Sequence, residues 1–278
     1  MKTILLGAAL LLSIMSFAQP KTNKNPTLRL IRNATLVIEY GGKKILIDPM
    51  LSSKGAFESF AGIEKNPTVE LKMPVQEIVD GVDLVLVTHT HVDHFDPAAS
   101  SALIKSVKLL NQPADKAFFT KEGFTNANVL ESGADWDGIR IQRVDAQHGS
   151  GKVLEMMGKT SGFILTAKNQ PAIYIVGDGI LTEDIIKNIK KFNPDYIVVN
   201  SGGAFVPGFE ANPILMDEVQ TMALLKESGN AKVIAVHMDA LDHCRTTRAK
   251  LSQKAKEMNI ENTKLIIPED GEIVDLKL

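Results

Sequence analysis

The chain has 278 residues, 44% hydrophobic and 23% charged, with 31 basic against 33 acidic side chains. Those proportions exclude collagen-like, disordered and multi-span membrane chains, and the slightly acidic balance without a long basic run argues against nucleic acid as a partner. A single cysteine, Cys244, rules out an internal disulfide framework and a four-cysteine zinc site.

Met1-Lys2-Thr3 is a short positive start, and Ile4 to Phe17 is an almost unbroken apolar run ending in Ser16-Phe17-Ala18. This is the pattern of a signal peptide over residues 1–18, with small residues at −3 and −1 of the cleavage site. The run is too short for a spanning helix and no basic stop-transfer cluster follows, so no membrane anchor is expected after its removal. The mature protein is expected to be exported, periplasmic or secreted. Residues 19–26 form a polar lead-in. An unpaired Cys244 in an oxidising compartment is expected to be buried.

The body is expected to be one domain, residues 27–278, of strands punctuated by helices. Ala34–Tyr40, Gly41-Gly42 and Lys43–Asp48 predict a hairpin with a two-residue glycine turn. Met50–Pro74 lacks periodicity, and so long a loop in a compact domain is commonly functional or mobile. Further strands are predicted at Asp83–Val87, Ile139–Val144, Gly162–Thr166, Ala172–Val176, Tyr196–Val199, Lys232–Val236 and Lys264–Ile267. Several are continuous apolar runs, as in strands covered on both faces. Asp96-Pro97 predicts a helix running to about Leu110, and Asn212-Pro213 one running to about Glu227. Thr182–Lys191 and Thr247–Met258 complete the helices, and the alternation is α/β.

The six histidines carry the chemistry: His89, His91, His94, His148, His237 and His243. His89 and His91, two apart after an apolar strand, can grip one ion. Asp93 and His94, at the turn into the helix capped by Asp96, can swing towards a second. His148, Asp178 and His237 each follow a strand, the edge where open α/β sheets place their sites. One half-site would be His89, His91 and His148, the other Asp93, His94 and His237, with Asp178 bridging.

The run His89, His91, Asp93, His94, with His148, Asp178 and His237 in order behind it, resembles the signature of the metallo-β-lactamase-fold hydrolases. The resemblance covers Thr27 to Leu278 and implies a four-layer αββα sandwich with metals at one rim. Leu28–Met50 and Val82–Phe95 look most like the ascorbate-6-phosphate lactonase-like branch, although Arg32-Asn33 stands where that branch often has Gly-His. The family pattern makes Asp48 a second-shell carboxylate that orients a metal-bound histidine. His243 is read as structural or second-shell, with substrate contact the minority reading. Arg245 and Asn200–Phe205 lie beside strand ends and could cradle an anion.

All seven ligand candidates offer nitrogen or oxygen, which suits two divalent ions, Zn²⁺ best, with Mn²⁺ or Fe²⁺ permitted. Two such ions ~3.5–4 Å apart can hold a bridging hydroxide, and Asp93 or Asp178 could accept and return the proton. The expectation is hydrolysis of a lactone, ester or phosphoester bond in a small-molecule substrate. The alternatives are a β-lactamase-type amide hydrolase, a di-iron oxidoreductase, which lacks the expected flavin domain or carboxylate at His91, and a non-catalytic metal-binding protein. Phe57 and Phe60 are candidates to line the substrate pocket. Oligomeric state leaves no mark on the sequence.

Overall fold

The computed structural model describes residues 25–278. The signal-peptide segment 1–18 and positions 19–24 of the lead-in lie outside them. Strands β1 (Thr27–Arg32), β2 (Thr35–Tyr40), β3 (Lys43–Ile47), β4 (Leu84–Val87), β5 (Lys108–Asn111) and β6 (Ala127–Val129) form most of one sheet. A second is built from β7 (Gly133–Trp136), β8 (Ile139–Ala146), β9 (Thr160–Ala167), β10 (Ile173–Ile175), β11 (Tyr196–Asn200), β12 (Lys232–Val236) and β13 (Leu265–Ile266). The last strand, β14 (Ile273–Asp275), returns to pair antiparallel with β1. The sheets therefore run 14-1-2-3-4-5-6 and 13-12-11-10-9-8-7.

Side-chain alternation explains the layers. Leu36 and Ile38 of β2, Ile45 and Ile47 of β3, and Leu84 and Leu86 of β4 share one core with Phe163, Leu165, Ile173, Ile175 and Val198 of the other sheet. The opposite parity of the first sheet, Val37, Leu46, Val85 and Val87, packs with Ile78, Ala99 and Phe119 of helices α1 (Val75–Val79), α2 (Pro97–Ala102) and α3 (Lys116–Lys121). A short α4 (Gly151–Met157) follows β8. In the second sheet Tyr174, Ile197, Val199, Val233 and Ala235 pack with α5 (Glu183–Phe192), α6 (Glu218–Glu227) and α7 (Arg248–Glu257). Strands with apolar residues at both parities are thus covered on both faces, and the order is α–β–β–α. Gly41 and Gly42, at φ 59° and 76°, make the tight turn that joins β2 to β3.

Two helices depart from expectation. The helix capped by Asp96 ends at Ala102, and Lys108–Asn111 is a strand between β4 and β6. Leu109 and Leu110 gain burial on the two faces of that sheet, which a continued helix would forgo. The helix expected from Asn212-Pro213 begins at Glu218, capped by the Asp217 carboxylate. Ile214, Leu215 and Met216 are drawn into the core instead, with Ile214 N–H donating to the Ala204 carbonyl and Met216 N–H to that of Gly179. Beyond the expected strands, β1 and β14 extend the first sheet, β6 closes its far edge and β7 the second sheet's. Among the described residues, no helix is long and apolar enough to cross a membrane.

Candidate metal centre

The clustered ligands sit where buried β4 stops. Thr88 N–H donates to Asp48 Oδ1 and the Thr88 hydroxyl to Oδ2, each at 2.7 Å. The chain then turns back on itself, with His94 and Phe95 N–H both donating to the His91 carbonyl at 2.9 Å. Phe95 anchors the turn among Phe118, Phe119 and Phe124. Asp96 accepts from Ala99 N–H to start α2 and from Ser52 N–H to tie in the next loop. The other three ligands leave the second sheet: His148 after β8, Asp178 after β10 and His237 after β12. Gly177 permits the close crossing there, since a Cβ would fall 2.3 Å from the Ser161 carbonyl oxygen.

These elements bring all seven candidates to one place in two groups: His89, His91 and His148, then Asp93, His94, Asp178 and His237. In the first, His91 Nδ1 lies 2.9 Å from His89 Nε2 and 3.3 Å from His148 Nε2. In the second, His237 Nε2 lies 3.3 Å from His94 Nε2 and 3.2 Å from Asp93 Oδ2. Asp178 Oδ2 faces both groups, 3.1 Å from His94 Nε2 and 3.4 Å from His148 Nε2. Four donors at zinc-ligand distance around one ion stand about 3.3 Å apart. The spacing and the all-nitrogen-and-oxygen donor set therefore fit divalent metal binding.

The outer nitrogens are pinned. His94 Nδ1 meets Asp48 Oδ2 at 2.8 Å, His148 Nδ1 the Ile214 carbonyl at 2.9 Å and His89 Nδ1 the Thr88 hydroxyl at 3.0 Å. A proton on Nδ1 of His94 and of His148 leaves each Nε2 lone pair turned inwards, as a metal ligand requires. Electrostatics point the same way. Burial works against charge on His94, yet the carboxylates of Asp178, Asp93 and Asp48 outweigh it and hold its pKa well above the usual range. Burial, helped by the neighbouring His91 and His94, drives His148 down to about 4 against the pull of Asp178. Burial would raise Asp93 and Asp178, but His94 and its neighbours hold both well below the carboxylate range. The cluster binds a proton where it calls for positive charge, the demand that metal cations would meet.

Some contributors escape a reading of the sequence. Asn33, in the left-handed region at φ 58°, points its amide at the Asp93 carbonyl, and its own carbonyl accepts from His237 N–H. Asn200, the last residue of β11, donates to Asp178 Oδ1. The only hints were the Arg32-Asn33 departure and the place of Asn200 at a strand end. His243 bonds to none of the seven candidates; it lines the adjoining cavity, its ring 4.8 Å from that of Phe60. Arg245 stacks its guanidinium 3.6 Å over Phe205 and does not line that cavity. Cys244 is only partly buried as a residue, but its sulfur turns inwards to lie 3.8 Å from His237 Nδ1. Burial and nearby carboxylates push its thiol pKa up, so it stays protonated and unreactive.

The cavity above the cluster encloses about 240 Å³. Phe57, Phe60, Val92, Leu215 and Leu241 supply apolar walls, His91, Asp93, His148, Asp178 and His237 reach it from the cluster, Glu58 and Asn66 also line it, and among the described residues neither Lys nor Arg does.

Comparison with known proteins agrees with this architecture. UPF0173 protein YddR of Bacillus subtilis is 35% identical over 248 residues, covering 87% of this chain and 96% of that one. A possible metal-dependent hydrolase from Veillonella parvula superposes with a TM-score of 0.87 at 32% identity, over 91% of this chain and all of that one. An isothiocyanate hydrolase from Delia radicum gut bacteria does so with a TM-score of 0.85 at 37% identity, over 89% and 98%. The family model described as the beta-lactamase superfamily domain matches residues 43–238, a span that holds every one of the seven converging side chains, and with the UPF0173 likeness it places this chain in that superfamily as a metal-dependent hydrolase.

Proposed function

We propose that this protein is an exported hydrolase that uses two divalent metal ions to split a small, uncharged electrophile with an apolar tail. Isothiocyanates are the first class to test, ahead of lactones and simple esters. The observation that carries the reading is the cavity wall, mostly apolar, with Glu58 its one charged member outside the cluster and, among the described residues, no Lys or Arg. Beyond the metal ions themselves, a phosphoester, a phosphorylated lactone or the carboxylate of a β-lactam would find no cationic side chain on that wall and would face Glu58, and burying a poorly paired charge is costly. An isothiocyanate, R–N=C=S, carries no charge, and the solved hydrolase of that name is among the similar structures.

His89, His91 and His148 would hold one ion and Asp93, His94 and His237 the other, with Asp178 between them. Such a pair supplies Lewis acidity and lowers the pKa of water. The chain does the rest. Asp48, Thr88, the Ile214 carbonyl and Asn200 fix the ligand side chains before any ion arrives, so little reorganisation is needed on binding. The apolar walls exclude bulk water and seat the R group against the cluster. Export rests on the Ile4–Phe17 run and the Ser16-Phe17-Ala18 site.

The test is metal analysis of the mature protein with a substrate panel. Two equivalents of metal per chain and conversion of benzyl isothiocyanate and water to benzylamine and carbonyl sulfide is the expected result. Faster turnover of bis(p-nitrophenyl) phosphate or nitrocefin than of any neutral substrate would overturn the reading.

A further inference from the structure

Five of the six histidines belong to the metal cluster, and the sixth stands across the cavity with an arrangement of its own. His243 is largely buried, and among the described residues its Nδ1 has no hydrogen-bond partner. The nearest carboxylate to Nδ1 is Asp242, with Oδ1 at 3.6 Å. Asp242 cannot turn away. Its carboxylate accepts from the Ser59 hydroxyl, from Phe60, Ala61 and Ile63 N–H at 3.2, 3.0 and 3.3 Å, and from the Asn66 amide at 2.8 Å. Among the described residues no group bonds Nε2, and the ring lines the cavity that Asp93, Asp178 and His237 also reach.

A fixed carboxylate beside Nδ1 favours the proton on that nitrogen and leaves a lone pair on Nε2. Burial pushes the His243 pKa down, which keeps the imidazole neutral near pH 7, as a base must be. Asp93 and Asp178, by contrast, turn Oδ2 onto imidazole nitrogens of the cluster and are engaged as ligands.

We propose that His243 is the catalytic base and acid of this site, carrying the proton from water to the leaving atom, and that Asp242 is its positioning residue. The inference rests on the hydrolase reading above. For an isothiocyanate, the water oxygen bonds to the central carbon while one water proton passes to His243 Nε2. The C=N π pair moves onto nitrogen, which takes that proton back from Nε2 to give R–NH–C(=S)–OH. The remaining O–H proton then moves to nitrogen, the C–N bond breaks with its pair going to nitrogen, and R–NH₂ and O=C=S leave.

The test uses the metal-loaded full protein, H243F, which keeps a ring against Phe60, and phenyl isothiocyanates graded from p-nitro to p-methoxy. H243F is expected to hold as much metal as wild type and to lose roughly a hundredfold in kcat. The loss should be smallest for p-nitro, whose nitrogen best bears negative charge unaided, and largest for p-methoxy. H243Q should show the same trend, and serves if phenylalanine does not pack. In ¹⁵N-labelled wild type, the His243 imidazole should show its proton on Nδ1. A proton on Nε2, loss of metal in H243F, or an equal or absent loss across the series overturns the role of His243 while the hydrolase reading stands. Wild-type protein that turns over none of the series overturns both.

Discussion

The two sides of the cavity are built in opposite ways. On the cluster side His89, His94, His148, Asp178 and His237 are all buried, and the positions of their reactive atoms are set by groups that are themselves buried, such as Asp48, Thr88 and Asn200. On the far side the segment around Phe57–Asn66 is a surface lobe, with Phe60 45% and Ile63 74% exposed. One antiparallel bridge, Phe57 to Asn66, and one carboxylate, Asp242, give it most of its shape. The contrast separates two tasks. Holding cations needs donors placed within tenths of an ångström, which only a dense buried network provides. Selecting a tail needs only a wall, and a wall hung on a single carboxylate can change without disturbing the donors.

Substitutions should split along that line. The largest effect is expected for Asp178→Asn, which withdraws the one carboxylate facing both groups: metal content measured by plasma mass spectrometry should fall and turnover drop by about a thousandfold or more. Full metal occupancy in that variant would show that Asp178 is not a ligand. Asp48→Asn removes the partner of His94 Nδ1, and chelator competition should find metal affinity weakened roughly 10–100-fold. On the far wall, Asp242→Asn should leave metal content intact while loosening the lobe, seen as faster proteolytic nicking between residues 57 and 66, a KM raised by about tenfold and a kcat lowered by about tenfold as His243 loses its positioning carboxylate.

The same variant gives a pH test. Burial would raise the Asp242 pKa, but the Ser59 hydroxyl, the Asn66 amide and the lobe's N–H groups outweigh it and hold it well below the usual carboxylate range. A folded pKa below the unfolded one means stability that is present above about pH 4 and is lost as pH falls through the folded value. Unfolding of wild-type protein by urea should therefore approach that of Asp242→Asn as pH drops from about 5 to 2; a constant gap would place the carboxylate outside the lobe's stability. Smallest of all, Phe60→Ala should raise KM by about threefold for benzyl substrates and leave methyl isothiocyanate unaffected.

The difference between the two sides also governs what could be read without coordinates. His89, His91, Asp93 and His94 lie within six positions and announce themselves, and His148, Asp178 and His237 each follow a recognisable strand. Asn33 and the Ile214 carbonyl belong to loops whose only property is where the fold puts them, so no local pattern marks them. Arg32 misleads by its charge: it is fully buried, donating to the carbonyls of Met50, Ser52 and Val69. The stretch Leu103–Leu110 carries no glycine or proline to stop a helix, and only pairing of Lys108–Asn111 with strands on both sides decides against one. The role of Asp242 is carried by contacts some 180 positions away along the chain, beyond any periodicity.

The return of β14 to the edge of β1 has a bearing on how the molecule is made. Thr27, Leu28 and Arg29 wait for Asp275, Val274 and Ile273, which are made long after them. Until then the opening sheet keeps a bare edge, a surface prone to pairing with the wrong neighbour. His237 too emerges late, and its N–H closes onto Asn33 near the beginning. The donor cluster is therefore completed only once Asn33 and His237 have met, after most of the domain has been made.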